Sequence, residues 1–183
     1  MDYPDLCRYP YFGLDTETTG LNWPVDRMFG FSWATPDGQS GYYDIRREPY
    51  ALVWLKDQIR YSDGKIIFHN CSYDSKMFHS AAVLIPLERC HDTVIRAVLI
   101  DEHLYSYKLD DLGEKYLFER KEDIWQELAD EFGGLPTQNV QIKNLPRASV
   151  ELAGRYAAKD ALLTLRLWEW QRDDIRSQGI EDI

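Results

Sequence analysis

The stretch YFGLDTETTG, residues 11–20, alternates side chains in the manner of a β-strand. With a period of two, Phe12, Leu14 and Thr16 point one way, and Gly13, Asp15 and Glu17 point the other. Two carboxylates therefore share one face at the strand's end. In isolation such a pair is more often a solvated strand end than a site. Here the apolar residues opposite predict a covered strand, and like charges held together repel unless a cation lies between them. Oxygen-only ligands suit magnesium or manganese.

Outward from this strand, RMFGFSWAT (27–35) and SGYYDI (40–45) predict two more, joined by the reverse-turn sequence PDGQ (36–39). YALVWLKDQIRY (50–61) has helical spacing, and KIIFHN (65–70) is an apolar run typical of a buried parallel strand. SYDSKMFHSAAVL (72–84) predicts a helix with Ser72 as its N-cap. Further helices are predicted over 92–101, 108–117, 121–132 and 148–176, and FGGLPTQNVQIKNLP (132–146) reads as a loop. The order βββαβα followed by helices predicts a mixed α/β sheet flanked by helices. Such sheets bind ligands beyond the carboxyl ends of their strands, where DTETTG (15–20) and HNCSYD (69–74) fall.

A length of 183 residues predicts a single domain spanning 1–183, and 44% hydrophobic with 14% aromatic residues excludes disorder. The longest apolar run, AAVLIPL (81–87), contains Pro86 and falls far short of the ~18 residues of a membrane span. MDYPDLCRYP (1–10) shows no basic region followed by an apolar one, so no secretory signal is read there. Cys7, Cys71 and Cys90 are scattered, which predicts reduced thiols and a cytoplasmic setting. A net charge of -10 argues against gripping long nucleic acid through a basic surface. It leaves room for an enzyme whose acidic residues hold cations that in turn meet phosphate.

YAAKD (156–160) lies inside the amphipathic helix VELAGRYAAKDALLTLRLWEW (150–170). Helical spacing aligns Tyr156, Asp160, Leu163 and Leu167 on one stripe, so Asp160 faces inward and needs a partner. Asn70 and Asp74 flank the turn from a buried strand into a helix. Taken alone, each group has a bland reading: Asp74 as a first-turn acid favouring the helix dipole, Tyr156 as core, Asp160 as the partner of an arginine.

Together and in this order, DTETTG, HNCSYD and YAAKD resemble the three motifs of the DEDD superfamily of 3′→5′ exonucleases, tyrosine subclass. HDTVIRAVLID (91–101), LDDLGEKYL (109–117) and AGRYAAKDALLTLRLW (153–168) extend the likeness to the proofreading domain of family A, polymerase I-type DNA polymerases. The resemblance runs from Tyr11 to about Trp170. It implies a ribonuclease H-like fold with a mixed five-stranded sheet flanked by helices.

It further implies that Asp15, Glu17 and Asp160 hold one magnesium or manganese ion, that Asp15 bridges to a second held by Asp74, and that Tyr156 orients a water. Thr16, Leu21, His69, Asn70, Tyr73 and Tyr156 are implied to touch substrate, with Leu21 an apolar wedge against the terminal base. The implied partner is a single-stranded DNA 3′ end, joined by a polymerase domain in the parent chain, in the host cytoplasm if the source is a phage. Lys159 departs from the acidic residue common beside the aspartate, but helical geometry turns it away from Asp160. Trp125 is the candidate for the family's downstream stacking aromatic. The ending QRDDIRSQGIEDI (171–183), with Gly179 as a helix stop, reads as a lead into a polymerase domain. A ribonuclease D-like RNA exonuclease and a catalytically silent binding domain are the alternatives. Retention of all four carboxylates and the tyrosine argues against silence.

Overall fold

Both faces of β1 (Tyr11–Thr18) are covered, and this sets the architecture. On one face Phe12 and Leu14 enter a core with Phe31, Trp54, Leu55 and Phe78. Gly13 faces the opposite way, where a Cβ would stand 3.0 Å from the Ala161 carbonyl oxygen and 3.4 Å from Leu165 Cβ. A glycine at this position lets the helix bearing Ala161 and Leu165 lie directly on the strand, which brings position 160 to the strand's acidic end. The computed structural model describes residues 3–23 and 25–179.

β1 pairs antiparallel with β2 (Met28–Ala34), and β2 pairs antiparallel with β3 (Ser40–Asp44). On its other side β1 pairs parallel with β4 (Lys65–Phe68), and β4 pairs parallel with β5 (Cys90–Asp92). The resulting order, β3-β2-β1-β4-β5, is the expected mixed five-stranded sheet. α1 (Tyr50–Tyr61) and α2 (Cys71–Ser80) cover the Phe12 face. α7 (Val150–Ser177) covers the Gly13 face through Ala161, Leu165 and Trp168. β4 is apolar on both sides for this reason: Ile66 and Phe68 face the first layer, and Ile67 faces α7. α3 (Thr93–Ile100) and α4 (Leu109–Leu117) pack against α7 at Leu163 and Leu167. Complete burial of Phe12, Leu14, Ile66 and Phe68 contributes roughly 1.5–3 kcal/mol each.

Four expectations from sequence need correcting. Residues 90–92 form β5, and the helix predicted over 92–101 starts only at Thr93. Three residues are too few to show a period, and Asp92 at the end of the strand has a different task. Its carboxylate accepts from the amides of Asn70 at 3.1 Å, Cys71 at 2.8 Å and Val94 at 2.8 Å, so one side chain satisfies the starts of α2 and α3 together. Ser72 is accordingly not the N-cap of α2; the helix begins at Cys71, after Asn70 at φ 76°.

The helix predicted over 121–132 begins at Trp125 as α5 (Trp125–Phe132), leaving 118–124 as an irregular connection. Finally, the stretch read as a loop contains α6 (Gln138–Gln141) and a 3-10 turn over Ile142–Arg147. It is organised around the buried Gln141, whose amide donates to the carbonyls of Gly133 and Leu135 at 3.0 Å each and whose oxygen accepts from Asn144 at 2.9 Å. Gly179 follows α7 with φ 72°, as a helix stop should; the apolar-acidic tail at 180–183 lies outside the described residues.

Candidate active site

The last residues of β1 recruit two helices from opposite sides. Asp15 and Glu17 share the Gly13 face with α7, and one carboxylate oxygen from each lies within 4.8 Å of one from Asp160. Thr16 points to the other side, where its hydroxyl donates to Asp74 Oδ1 at 2.6 Å and its amide donates to the same oxygen at 3.1 Å. Asp74, in the first turn of α2, is thereby tied to the strand rather than to its own helix end. A register shift between Glu17 and Thr18 interrupts the β1–β2 pairing beside this cluster before it resumes at Thr18 and Met28, a common device for aiming a side chain at the rim of a sheet.

Burial raises the proton affinity of all four carboxylates, and for Asp15 and Glu17 the neighbouring acids add to it. Asp15 is held well above the ordinary carboxylate range, first by burial and then by the charges of Asp74 and Asp160. Glu17 is raised well above its ordinary value by burial, then by Asp15 and Asp160. Asp160 is raised chiefly by burial, against the pull of Lys121. Burial also pushes Asp74 up to about 8, although the hydrogen bonds from Thr16 oppose it. Such a group accommodates a divalent cation well, since a cation compensates each of these costs at once. Asp160 Oδ1 gives a second indication of fit: it is buried and has no hydrogen-bond partner. The donor set is all oxygen, which suits magnesium or manganese.

Tyr156 lies one turn before Asp160 on α7 and is buried, and burial followed by the Asp160 charge raises its phenol far above its usual value. It keeps its proton at neutral pH. Its ring meets Trp125 edge-on at 5.4 Å, so Trp125 packs against the site tyrosine in a cluster with Phe29, Ile124 and Leu128.

The cluster opens into a cleft of about 510 Å³. Leu21 lies on its rim with 84% of its surface exposed. Tyr73 donates its hydroxyl to the Gly20 carbonyl at 2.7 Å and stands 2.7 Å from the Thr18 hydroxyl, bracing the loop that presents Leu21. His69 lines the wall, with Nδ1 2.7 Å from the Thr93 hydroxyl, and burial lowers it to about 4, so it is neutral at pH 7. Asn70 is exposed at the turn into α2. Lys159 turns outward as expected and pairs with Glu119 at 2.6 Å.

Beyond the three motifs, four cleft residues escaped the reading of the sequence: Lys121, Gln138, Ile142 and Lys143. Lys121 lies in the irregular 118–124 connection, where a helix was expected. Its ammonium forms an ion pair with Asp160 Oδ2 and donates to the Tyr156 hydroxyl at 3.0 Å. Burial opposes that charge, but Asp160 and Tyr156 outweigh it and hold the ammonium well above its usual range. Gln138, Ile142 and Lys143 belong to the segment read as a loop. The two glycines of FGGLP do signal a chain reversal, but nothing local shows that the reversal returns over the cleft.

A family model described as 3′-5′ exonuclease matches residues 4–173. The chain belongs to that exonuclease family. It is 43% identical to the DNA polymerase DpoZ of Vibrio phage phiVC8 over 195 aligned residues, covering 100% of this chain and 31% of that protein. DNA polymerase I of Borreliella burgdorferi is 28% identical over 172 residues, covering 89% of this chain and 17% of that protein. The exonuclease-family chain thus spans less than a third of either polymerase. Among solved structures, Brucella melitensis NrnC superposes with a TM-score of 0.67 at 19% identity, covering 96% of this chain and 78% of that one. The catalytic core of RRP6 from Trypanosoma brucei superposes at 0.69 with 12% identity, covering 96% and 44%. These two likenesses establish the shared ribonuclease H-like fold.

Proposed function

We propose that this exonuclease-family chain removes nucleotides from single-stranded or frayed DNA 3′ ends, releasing nucleoside 5′-monophosphates, as the proofreading part of a polymerase. The observation that carries the reading is the convergence of Asp15, Glu17 and Asp160 oxygens within 4.8 Å at the mouth of a cleft. The preference for DNA rests on the 43% identity to a phage DNA polymerase.

In this reading Asp15, Glu17 and Asp160 would hold one divalent ion and Asp74, with Asp15, a second; bound there, the ions would acidify a water and offset charge on the departing 3′ oxygen. Tyr156 accepts from Lys121, so its own proton is available to hydrogen-bond and orient that water. Its raised pKa suits it as a positioning group and not as a base. Leu21 stacks on the terminal base, Thr16 keeps Asp74 in place, and His69, Asn70 and Tyr73 border the last nucleotides. A duplex end must open first, at a cost of ~1.4 kcal/mol per base-pair step, so single strands are the better substrate.

The test is digestion of 3′- and 5′-labelled single-stranded DNA and RNA, with and without magnesium or manganese. Metal-dependent release of mononucleotides from the 3′ end of DNA is expected. Rapid digestion of a 3′-blocked strand defeats the polarity, a preference for RNA moves the chain to RNA processing, and inertness in both metals makes it a silent binding domain. A polymerase domain in the parent chain would supply the duplex grip that a charge of -10 denies this part. An unlabelled trap should therefore stop digestion after one or a few cuts.

A further inference from the structure

We propose that Lys121 serves as a built-in cation of the active site, holding Asp160 in the metal-free protein and competing with the divalent ion for that carboxylate. The inference rests on the reading of Asp15, Glu17 and Asp160 as a metal site.

The lysine is placed, not dangling. Its ammonium contacts Asp160 Oδ2, lies 3.0 Å from the Tyr156 hydroxyl and sits 4.9 Å from the Tyr156 ring centroid. Its side chain is only 23% exposed. The segment that carries it is fixed at three points. The Lys121 amide donates to Asp110 Oδ1 at 2.9 Å. Glu119 is clamped onto the outer side of α7 by Lys159 at 2.6 Å and by Arg166 at 2.7 and 2.8 Å. Ile124 is fully buried between Phe29 and Leu128. A long flexible side chain is rarely taken out of water without a partner, and here that partner is a carboxylate of the cluster.

One ammonium cannot neutralise the cluster. Among the described residues its ion pair is with Asp160 and not with Asp15 or Glu17, and Asp160 Oδ1 stays unpartnered. The arrangement is therefore partial: Lys121 relieves enough repulsion to keep Asp160 and Tyr156 aligned on α7, while a doubly charged ion still gains by entering. An ion entering at the free Oδ1 meets the ammonium on Oδ2, so two cations share one negative charge and each weakens the other's hold on Asp160. The Tyr156 hydroxyl is the partner it can keep. A purely structural ion pair would behave differently, because its loss would weaken the fold equally with and without metal and leave metal affinity unchanged.

The experiment titrates manganese chloride by calorimetry into the 183-residue chain and its Lys121→Met variant, at fixed pH and ionic strength, and records melting temperatures without and with saturating manganese. Lys121→Gln serves as a second uncharged variant should the first fold poorly. Manganese is expected to bind the uncharged variant on the order of tenfold more tightly. The metal-free variant should melt lower than the parent, and the gap should narrow in saturating manganese. Equal or weaker manganese affinity in the variant, or the same melting deficit in both states, overturns the inference. If the parent itself binds no manganese, the metal-site reading falls and this inference with it; if only the variant's gain is missing, the inference alone falls.

Discussion

The floor of the cleft and its wall are built on different principles. The floor is the β1–α7 pair, where a period of two meets a period of 3.6 and a glycine at position 13 sets the spacing between them. The wall is the segment 118–147, which buries Ile124, Leu128 and Leu145 but whose path is fixed by single polar contacts: Glu119 on α7, the Lys121 amide on Asp110, and Gln141 on the carbonyls of Gly133 and Leu135. Repeating patterns place the acids of the floor, whereas individually irreplaceable contacts place the lysine of the wall. Changes to the floor should therefore act on chemistry, and changes to the wall on stability and metal affinity.

The sharpest test of that division compares two floor acids that differ in their link to the wall. Asp15→Asn and Asp160→Asn should each lower turnover by ~1000-fold or more, because each removes a proposed metal ligand. Their metal-free stabilities should move in opposite directions. Asp15 is crowded by Asp74 and Asp160, so its neutral replacement relieves repulsion and raises the melting temperature. Asp160 anchors Lys121, so its replacement strands a buried ammonium and lowers it. Parallel changes in melting temperature would erase the distinction between floor and wall.

Tyr156 belongs to both regions, since it rides on α7 and receives Lys121. Tyr156→Phe keeps the ring against Trp125 and removes only the hydroxyl, so turnover should fall ~10- to 1000-fold while the melting temperature changes little. Unchanged turnover would assign the residue to packing alone.

How much of this was legible follows the same line. β1 and β4, helix α1 and the length of α7 are written in periodicity, and burial of their apolar stripes enforces it. The inward face of Asp160 showed as a carboxylate on an apolar stripe, a local inconsistency that marks a functional position. Lys121 carried no such mark: in ERKEDIW (119–125) it is one charge among several, and distant contacts, Glu119 on Lys159 and Arg166, the Lys121 amide on Asp110 and the burial of Ile124, turn the segment so that it points inward. The cap of α2 was missed for a related reason, because Asp92 supplies it from 21 positions beyond Cys71.

The pH dependence of stability tests the floor as a whole. A carboxylate whose folded pKa lies above its unfolded value binds its proton more tightly in the folded state. Its contribution is fully present below the unfolded pKa near 4 and is lost as pH rises toward the folded pKa, which for Asp74 is about 8. Below about pH 6.5, His69 and His91, both lowered to about 4, add stability as pH rises and oppose the acids. Metal-free stability should therefore fall between pH 6.5 and pH 8, by on the order of 1 kcal/mol per pH unit for each such acid titrating. Saturating manganese should flatten the slope, since it favours the ionised form, and Asp74→Asn should reduce it without metal. Chemical denaturation at several pH values measures this, and a metal-free stability that climbs from pH 6.5 to pH 8 would contradict the raised proton affinity of these buried acids.

The smallest effect should come from the wall. Gln141 is fully buried, far from the carboxylates in the chain, and touches no acid of the floor. Its amide satisfies the carbonyls of Gly133 and Leu135 where two glycines at φ 76° and 96° reverse the chain, and its oxygen receives Asn144. Gln141→Ala leaves buried polar groups unpaired, which costs roughly 1–3 kcal/mol. Because α6 and the following turn carry Gln138, Ile142 and Lys143 into the cleft, loosening them should weaken substrate binding while the carboxylates stay in place. The expected signature is a raised KM for single-stranded DNA with kcat nearly unchanged, together with faster amide exchange confined to 133–147. A kcat loss comparable to that of Tyr156→Phe would mean that floor and wall are one cooperative unit, so that the glutamine holds the chemistry as firmly as the glycine at position 13.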